Sequence, residues 1–269
     1  MAIKYNMEFY THITIPKTPF TFSYTVQTVL LGSCFAENIG KKLEGNKFKT
    51  DLNPFGTLYN PSSIAEAIRM LLQPEQFTGD DLFQHEGIYH SFSHHSRFSS
   101  PSETECLANI NRRLFSSADT ILKAQRMILT FGTAWVYKLK SSGKVVSNCH
   151  RLPEKMFDRQ LLTVGEIVAE WKSLLLSLWK QNPELKILFT VSPIRHWKDG
   201  AHGNQQSYPP ACHRRSAKGI PGTHRLFPSL RNHDGRIEGV PFLCRRYAAS
   251  IHHGDRIYLG TVHRQHAFT

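Results

Sequence analysis

Three short apolar segments, each ending at a turn of small or polar residues, constrain the fold of this chain more than any other feature. They occupy residues 28–32, 127–132 and 186–192. Apolar runs of this length, bounded by glycine or polar residues, are typical of strands buried on both faces of a parallel sheet. Helical patterns lie between them. The sequence therefore predicts an α/β fold with a mainly parallel central sheet covered by helices on both faces.

The helical patterns begin at recognisable caps. Asn60 precedes a proline, and apolar residues recur at helical spacing after it. Thr163 and the glutamate three residues later have the spacing of a capping box that opens another helix. A further helix is expected around residues 103–117. Residues 135–147 have the alternation and central turn of a hairpin.

The net charge of +12 is concentrated in the last quarter of the chain. Residues 207–269 hold 10 Lys and Arg against 3 acidic residues, and they hold 7 of the 15 histidines. The first 206 residues hold 23 Lys and Arg against 18 acidic residues. Aromatic residues are only scattered among these arginines, so the stacking platform of a single-strand binder is missing. We therefore expect no nucleic-acid partner.

Cysteine usage and hydropathy indicate a reduced, soluble protein. The five cysteines form no Cys-x-x-Cys pair, which argues against a disulfide framework and against a structural zinc site. No segment approaches the roughly 20 apolar residues that cross a bilayer, and residues 1–10 lack a signal-peptide core. We expect a cytoplasmic protein with no membrane partner. Nothing in the pattern indicates an oligomeric state.

Small or polar residues follow all three strands, and the first of these turns carries a serine. In α/β sheets, active sites lie at the carboxyl ends of the strands. Ser33 stands between a strand and a helix, so its hydroxyl can face open space while the helix amides and dipole stabilise a negative oxygen. The alternative is that Ser33 only caps the helix, as many serines do.

Residues 31–36, Leu-Gly-Ser-Cys-Phe-Ala, spell the motif that gives the GSCFA family its name. Four further blocks resemble that family in order, at residues 53–61, 129–135, 148–150 and 190–196. The resemblance extends over about residues 8–207. The GSCFA family is similar to the SGNH or GDSL ester hydrolases. The resemblance therefore implies a three-layer α/β/α fold, hydrolysis of esters, and Ser33 as the catalytic nucleophile.

SGNH hydrolases hold the oxyanion with the amides of the nucleophile and of a glycine, and with an asparagine side chain. By resemblance Gly56 supplies the glycine amide, although it also suits a plain turn. The expected asparagine is missing from the third block, and Thr133 or Asn148 is the substitute. For His150 and His196, a structural role in hydrogen bonding is an open alternative to a role in this pocket. The candidates for the oxyanion and substrate pocket are Gly32, Cys34, Gly56, Gly132, Thr133, Asn148, His150, Ser192 and His196.

Residues 78–100 are polar, aromatic and rich in histidine, which predicts an inserted hairpin or lid. His90 and His94 would share one face of a helix and invite a metal. The alternation around them favours a strand instead, which sends His94 and His95 to opposite faces, and no acidic pair accompanies them. We expect surface or lid histidines, no metal and no cofactor.

The base that the resemblance calls for is missing. A catalytic serine needs a histidine oriented by an acid, and these families place both in an Asp-x-x-His-Pro element that this chain lacks. A one-base shift of the reading frame permits Asp-Met-Leu-His-Pro within the tail. Our hypothesis is therefore that residues 208–269 are translated out of frame; the alternative is a genuine basic appendage. The expected domains are a GSCFA/SGNH-like domain at 1–207, including the insert at 78–100, and an aberrant or poorly ordered tail at 208–269.

Two functions follow from these observations. The first is a serine hydrolase acting on a small acyl ester or carbohydrate ester, impaired in this chain because the C-terminal Asp and His are missing. The second is a non-catalytic domain in which the same pocket binds a small ligand or carbohydrate.

Overall fold

The computed structural model describes residues 22–191 and, further along, the backbone of two short strands. The α-helices of the first range are α1 (Cys34–Gly45), α2 (Pro61–Leu72), α3 (Glu103–Lys123) and α4 (Val164–Gln181). Its strands are β1 (Thr28–Gly32), β2 (Thr50–Leu52), β3 (Phe83–His85), β4 (Ile88–His90), β5 (Arg126–Phe131), β6 (Trp135–Leu139), β7 (Val145–Val146), β8 (Phe157–Leu161) and β9 (Lys186–Val191). The two later strands, β10 (Ser250–Ile251) and β11 (Ile257–Tyr258), pair antiparallel.

The central sheet of the described part of the chain has four parallel strands in the order β2-β1-β5-β9. β1 lies between β2 and β5, and its last residue, Gly32, stands opposite Thr130 of β5. Every residue of β1 is buried, because neighbouring strands and helices surround it, and this accounts for its uninterrupted apolar sequence. The predicted α/β fold with a mainly parallel sheet is therefore confirmed.

Helices cover both faces of this sheet. Val29 and Leu31 of β1 belong to the large core that α2, α3 and α4 complete. Leu30, which points to the opposite face, packs with Ile39 and Leu43 of α1. Side chains alternate between the two faces along a strand, so one short apolar run supplies both cores. The three layers are α1, the sheet, and the group of α2, α3 and α4.

The predicted helix starts are present. Thr163 accepts a hydrogen bond from the Glu166 N–H through its hydroxyl (3.3 Å), and the Glu166 carboxylate accepts one from the Thr163 N–H (2.7 Å), which completes the capping box of α4. Asn60 is the N-cap of α2. α3 runs further than the helix predicted around 103–117, because Ile121 continues its buried stripe.

The insert between α2 and α3, residues 78–100, contains the predicted hairpin, formed by β3 and β4. A second hairpin joins β6 to β7, as the alternation around 135–147 predicts. β8, which the sequence pattern did not predict, pairs with the other edge of β6. The resulting three-stranded antiparallel sheet contacts the insert through hydrogen bonds from the Ser147 and Asn148 N–H groups to the Phe92 carbonyl.

Among the described helices, none combines the length and the apolar character that crossing a bilayer requires. The tail predicted at 208–269 lies outside the described residues, apart from the backbone of β10 and β11.

Asn182 links two elements at the amino-terminal edge of the sheet. Its buried Nδ2 donates to the carbonyls of Ile121 (3.0 Å) and Ala124 (2.8 Å), just before β5 begins. Replacing Asn182 with alanine removes the donor of both carbonyls, so we expect the free energy of unfolding to fall by about 2–3 kcal/mol. Urea unfolding at neutral pH measures the change. A variant within about 0.5 kcal/mol of the unmodified protein would contradict this role.

Candidate functional site

Ser33 lies where β1 ends at the carboxyl edge of the sheet and α1 begins. Its backbone is extended, with φ −68° and ψ 178°, and it is the N-cap of α1. Its N–H donates to the Thr130 carbonyl of β5 (3.1 Å), which completes the hydrogen bonding of the last pair of the two strands, Gly32 and Thr130. The predicted unit of strand, Gly-Ser turn and helix is confirmed. The hydroxyl therefore stands at the helix end where the dipole stabilises negative charge.

The Ser33 side chain is buried and serves as a helix cap. The residue is 0% exposed, and its Oγ accepts a hydrogen bond from the Phe35 N–H (3.3 Å). Capping, one of the two roles expected for Ser33, is thus observed. It leaves a lone pair on the oxygen. Because the residue is fully buried, the expectation that this hydroxyl faces open space is wrong, and an acyl group can reach the oxygen only when neighbouring atoms move aside.

Two amides expected to bind an oxyanion donate within the protein. The Ser33 N–H is bonded to Thr130, and the Gly56 N–H donates to the Asn53 carbonyl (2.8 Å). Gly56 has φ +83°, a conformation that glycine adopts at little cost. The turn role left open for Gly56 is therefore observed. An oxyanion could use either amide only by displacing a carbonyl.

Two further amides at this edge are engaged by a segment that crosses it. The Tyr59 carbonyl, between β2 and α2, accepts hydrogen bonds from the N–H groups of Gly132 (2.7 Å) and Thr133 (3.1 Å). The Thr133 hydroxyl oxygen accepts one from the Trp135 N–H (3.1 Å). Thr133, one of the two substitutes considered for the missing asparagine, thus uses its oxygen within its own turn.

Cys34 and Tyr59 form an exposed rim beside the Ser33 turn. Cys34 is the first residue of α1, and its side chain is exposed. The Tyr59 ring, in a residue 39% exposed, covers Gly132, where an added Cβ would lie 3.1 Å from its Cδ1. Burial raises the pKa of the Tyr59 phenol, and the nearby Cys34 thiol raises it further. A thiol and a phenol thus stand next to the candidate nucleophile.

A charged network surrounds Glu37, one turn into α1. Its carboxylate pairs with Lys41 (3.1 Å) and Arg97 (3.6 Å) and accepts a hydrogen bond from Asn53 Nδ2 (2.8 Å). Burial raises the pKa of Glu37, but these partners outweigh it and bring the pKa below its usual range. Glu37 is therefore ionised at neutral pH. No local sequence pattern indicates this network, because Arg97 belongs to the insert and only the fold brings it beside Glu37.

His95 of the insert lies against the Gly56 turn. Its N–H donates to the Phe55 carbonyl (2.8 Å), and a Cβ added to Gly56 would lie 2.2 Å from the His95 Cβ. Burial lowers the pKa of His95, the Arg97 charge lowers it further, and the Glu37 charge raises it. His95 was expected on the surface or in a lid. It is half-buried in the insert and contacts the candidate site through Gly56.

Asn148 and His150 contact the insert. The Asn148 Oδ1 accepts a hydrogen bond from the His150 N–H (2.9 Å), and its Nδ2 lies 3.5 Å from the Ser96 Oγ. The His150 Nε2 is 2.8 Å from the Ser91 carbonyl oxygen. These contacts match the structural role that was left open for His150. Within the described part of the chain, the hydrogen bonds of both side chains go to the insert or to each other's residue and not to the Ser33 turn.

Candidates beyond residue 191 lie outside the described residues. These are Ser192 and His196. Asp199 and His202, which the sequence analysis did not single out, have the Asp-x-x-His spacing but are followed by glycine instead of proline. The spacing alone, without the proline, is the sequence signal that identifies them.

His90, His94 and His150 form a buried group that we call the histidine cluster. Their exposed fractions are 8%, 2% and 6%, so the expectation of surface positions is wrong for His90 and His94. The His90 and His150 rings lie 4.5 Å apart between centroids, and His94 stacks on Phe55 at 4.7 Å. Burial lowers the pKa of all three, that of His94 to about 3. In the described ranges, no group of three or more His, Cys, Asp and Glu side chains is arranged to hold a metal ion.

A separate groove of about 450 Å³ lies between α2, α4 and the insert. Arg69 on its wall pairs with Glu66 (2.9 Å) and with Glu170 (3.0 Å), and the Ser62 hydroxyl donates to Glu170 (2.8 Å). These polar groups therefore satisfy one another. The groove does not include Ser33 among its lining residues.

Comparison with known proteins places the chain in a family. No curated protein and no solved structure matches it. The model of the GSCFA family matches residues 27–210, well over half of the chain, and this range contains all four strands of the central sheet and the Ser33 turn. The chain therefore belongs to the GSCFA family.

Proposed function

We propose that this chain carries the site of an SGNH-like hydrolase that cleaves ester bonds through Ser33. The observation that carries the proposal is the position of Ser33, at the carboxyl end of a central strand and at the N-terminus of α1. Attack of its Oγ on an acyl carbon would place a negative oxygen near the first turn of α1, where the helix dipole favours it. The motif resemblance to SGNH hydrolases supports the reaction type.

The proposed substrate is a small acyl ester or a carbohydrate ester, acted on in the cytoplasm. Ester hydrolysis by a serine proceeds through an acyl-enzyme that water then cleaves. This chemistry requires a base and an oxyanion site, and the proposal therefore includes no cofactor.

We further propose that this chain turns esters over poorly. A serine hydroxyl is a weak nucleophile without a base, and the Asp-x-x-His pair formed by Asp199 and His202 lacks the proline of the Asp-x-x-His-Pro element. The buried Oγ and the engaged amides of Ser33 and Gly56 support the same conclusion. A reaction at Ser33 must first open this arrangement.

The second candidate function is non-catalytic binding of a small ligand or carbohydrate at the same edge of the sheet. One observation favours it: the Tyr59 carbonyl engages the amides of Gly132 and Thr133, where an oxyanion site would need open donors. A binding domain has no need of such donors.

Restoring the shifted reading frame after residue 207 and assaying a short acyl ester, p-nitrophenyl acetate, separates the two functions. The hydrolase proposal expects activity that disappears when Ser33 is replaced with alanine. A folded, frame-restored protein without Ser33-dependent hydrolysis would support binding and contradict catalysis. In the unmodified chain we expect little turnover and only slow reaction of Ser33 with a fluorophosphonate probe. Rapid labelling would contradict the proposed impairment.

The coding DNA tests the origin of the tail. We expect one inserted or deleted base near the codon of Ser207. An undisturbed reading frame that independent isolates share through residue 269 would show that the basic tail is genuine.

A further inference from the structure

Asn53 uses every polar atom that it has, and it does so in a fully buried position directly after β2. The residue is 0% exposed and has φ +44°, a left-handed conformation that asparagine tolerates better than most residues. Its backbone N–H donates to the Leu30 carbonyl (2.8 Å), and its carbonyl accepts from the Gly56 N–H (2.8 Å) and from the Arg97 guanidinium.

The Asn53 side chain acts as acceptor and donor at once. Its Oδ1 accepts from the N–H of Gly32 (2.9 Å), the residue before Ser33, and its Nδ2 donates to Glu37 Oε2 (2.8 Å). A carboxylate in this place could accept but not donate. The amide therefore ties together the end of β1 and the first turns of α1, and its backbone holds the Gly56 turn.

In the sequence, Ser33 lies between the two residues that hydrogen-bond to the Asn53 side chain. Gly32 precedes it and Glu37 lies four residues after it, so both sides of the Ser33 turn are fixed to one rigid amide. The geometry points to Asn53 as the positioning residue that sets the Ser33 hydroxyl relative to the Gly56 turn, an inference that rests on the proposed function. A displacement of about 1 Å in such a constellation can cost about two orders of magnitude in rate.

An exchange of donor and acceptor tests this role. Asn53→Asp leaves the bond from Gly32 but places two carboxylates against each other, whereas the double variant Asn53→Asp with Glu37→Gln restores one donor and one acceptor in reversed order. The measured quantity is the rate constant for phosphonate addition at Ser33 with a fluorophosphonate probe, followed by mass spectrometry. We expect Asn53→Asp to slow this reaction at least about tenfold, and the double variant to return within about threefold of the unmodified chain.

A matched control separates positioning from lost stability. Asn182→Ala also removes a buried amide with two hydrogen bonds, but at the opposite edge of the sheet. We expect it to lower the melting temperature without changing the rate of labelling at Ser33. Melting curves of all variants establish that each is folded at the labelling temperature.

A second pair of variants keeps the test decisive if Asn53→Asp does not fold. Glu37→Ala removes the acceptor of Asn53 Nδ2 on a helix that tolerates alanine, and we expect it to slow labelling several-fold. Lys41→Ala removes another partner of Glu37 without touching Asn53, and it should label normally. The inference would be overturned if folded Asn53→Asp or Glu37→Ala is labelled at the normal rate, or if the folded double variant stays slow. These outcomes would leave the proposed function intact. Absence of any Ser33 adduct in the unmodified chain would overturn the proposed function and this inference with it.

Discussion

Lowering the pH from about 7.5 to 4 is expected to destabilise the protein by several kcal/mol through the histidine cluster. Burial, and then the charge of His150, lowers the pKa of His94 from 6.5 to about 3. Burial lowers the pKa of His90, and the charge of His85 lowers it further. Burial also lowers the pKa of His150, and the charges of His90 and His95 lower it further. These rings are therefore neutral in the folded protein at pH values where the unfolded chain already binds protons.

The sign of the effect follows from this difference in protonation. Above pH 6.5 the folded and unfolded chains both hold neutral histidines, and the contribution to stability is complete. As the pH falls from 6.5 towards 3, His94 is protonated in the unfolded chain but stays neutral in the folded protein. Each pH unit therefore lowers the free energy of unfolding by up to about 1.4 kcal/mol per histidine. Below about pH 3 the loss from His94 levels off.

Urea unfolding at pH 7.5, 6.5 and 5.5 measures this loss before most carboxylates titrate. His94→Gln removes one of the titrating rings, so its stability should depend less steeply on pH, although the lost stacking on Phe55 lowers its stability at pH 7.5. His95→Gln is the control, because His95 is only half-buried and is expected to contribute less. Equal free energies of unfolding at pH 7.5 and 5.5 in the unmodified chain would show that the cluster is not held neutral.

Replacing Gly32 with alanine is expected to lower the free energy of unfolding by about 3 kcal/mol or more. Gly32 has φ +139°, a region that side chains with a Cβ rarely adopt. An added Cβ would lie 2.2 Å from the Thr130 carbonyl oxygen, which is backbone of the central strand β5 and cannot rotate away. The substitution must therefore separate β1 from β5 beside Ser33.

Gly45→Ala is the matched control for this prediction. Gly45 is the last residue of α1, and an added Cβ there meets no atom within 4 Å. We expect Gly45→Ala to be neutral or slightly stabilising. Urea unfolding of both variants at pH 7.5 measures the contrast. A Gly32→Ala protein as stable as the Gly45→Ala protein would mean that the backbone at the Ser33 turn is much more adaptable than its geometry indicates.

Local sequence patterns predicted the scaffold of the site well. The apolar run of β1, the Gly-Ser turn and the capping box at Thr163 depend on neighbours within a few residues, so they can be recognised in the sequence alone. β2 escaped prediction because it has only three residues, one of them Asp51. β8 escaped because its Asp158 and Arg159 are exposed on an edge strand.

The interior of the site depends on contacts that no local pattern contains. His94 is buried and stacks on Phe55, and the whole of helix α2 separates these two residues in the sequence. The burial of Ser33 likewise follows from the packing of distant segments. The same holds for the hydrogen bonds that the Tyr59 carbonyl accepts from the N–H groups of Gly132 and Thr133. Asn53 belongs to a block that resembles the family, but nothing local in that block indicates that all four of its hydrogen-bonding groups have partners in the fold.

Peptide mapping after treatment with a fluorophosphonate probe tests the central claim most directly. Trypsin cleavage after Lys17 and Lys41 isolates residues 18–41, which contain Ser33 and Cys34, and fragmentation locates the added phosphonate. We predict that the phosphonate is on the Ser33 oxygen, that it accumulates slowly, and that Ser33→Ala abolishes it. A phosphonate found only on other residues, or no adduct on this peptide after prolonged exposure of the folded protein, would contradict the assignment of Ser33 as the nucleophile.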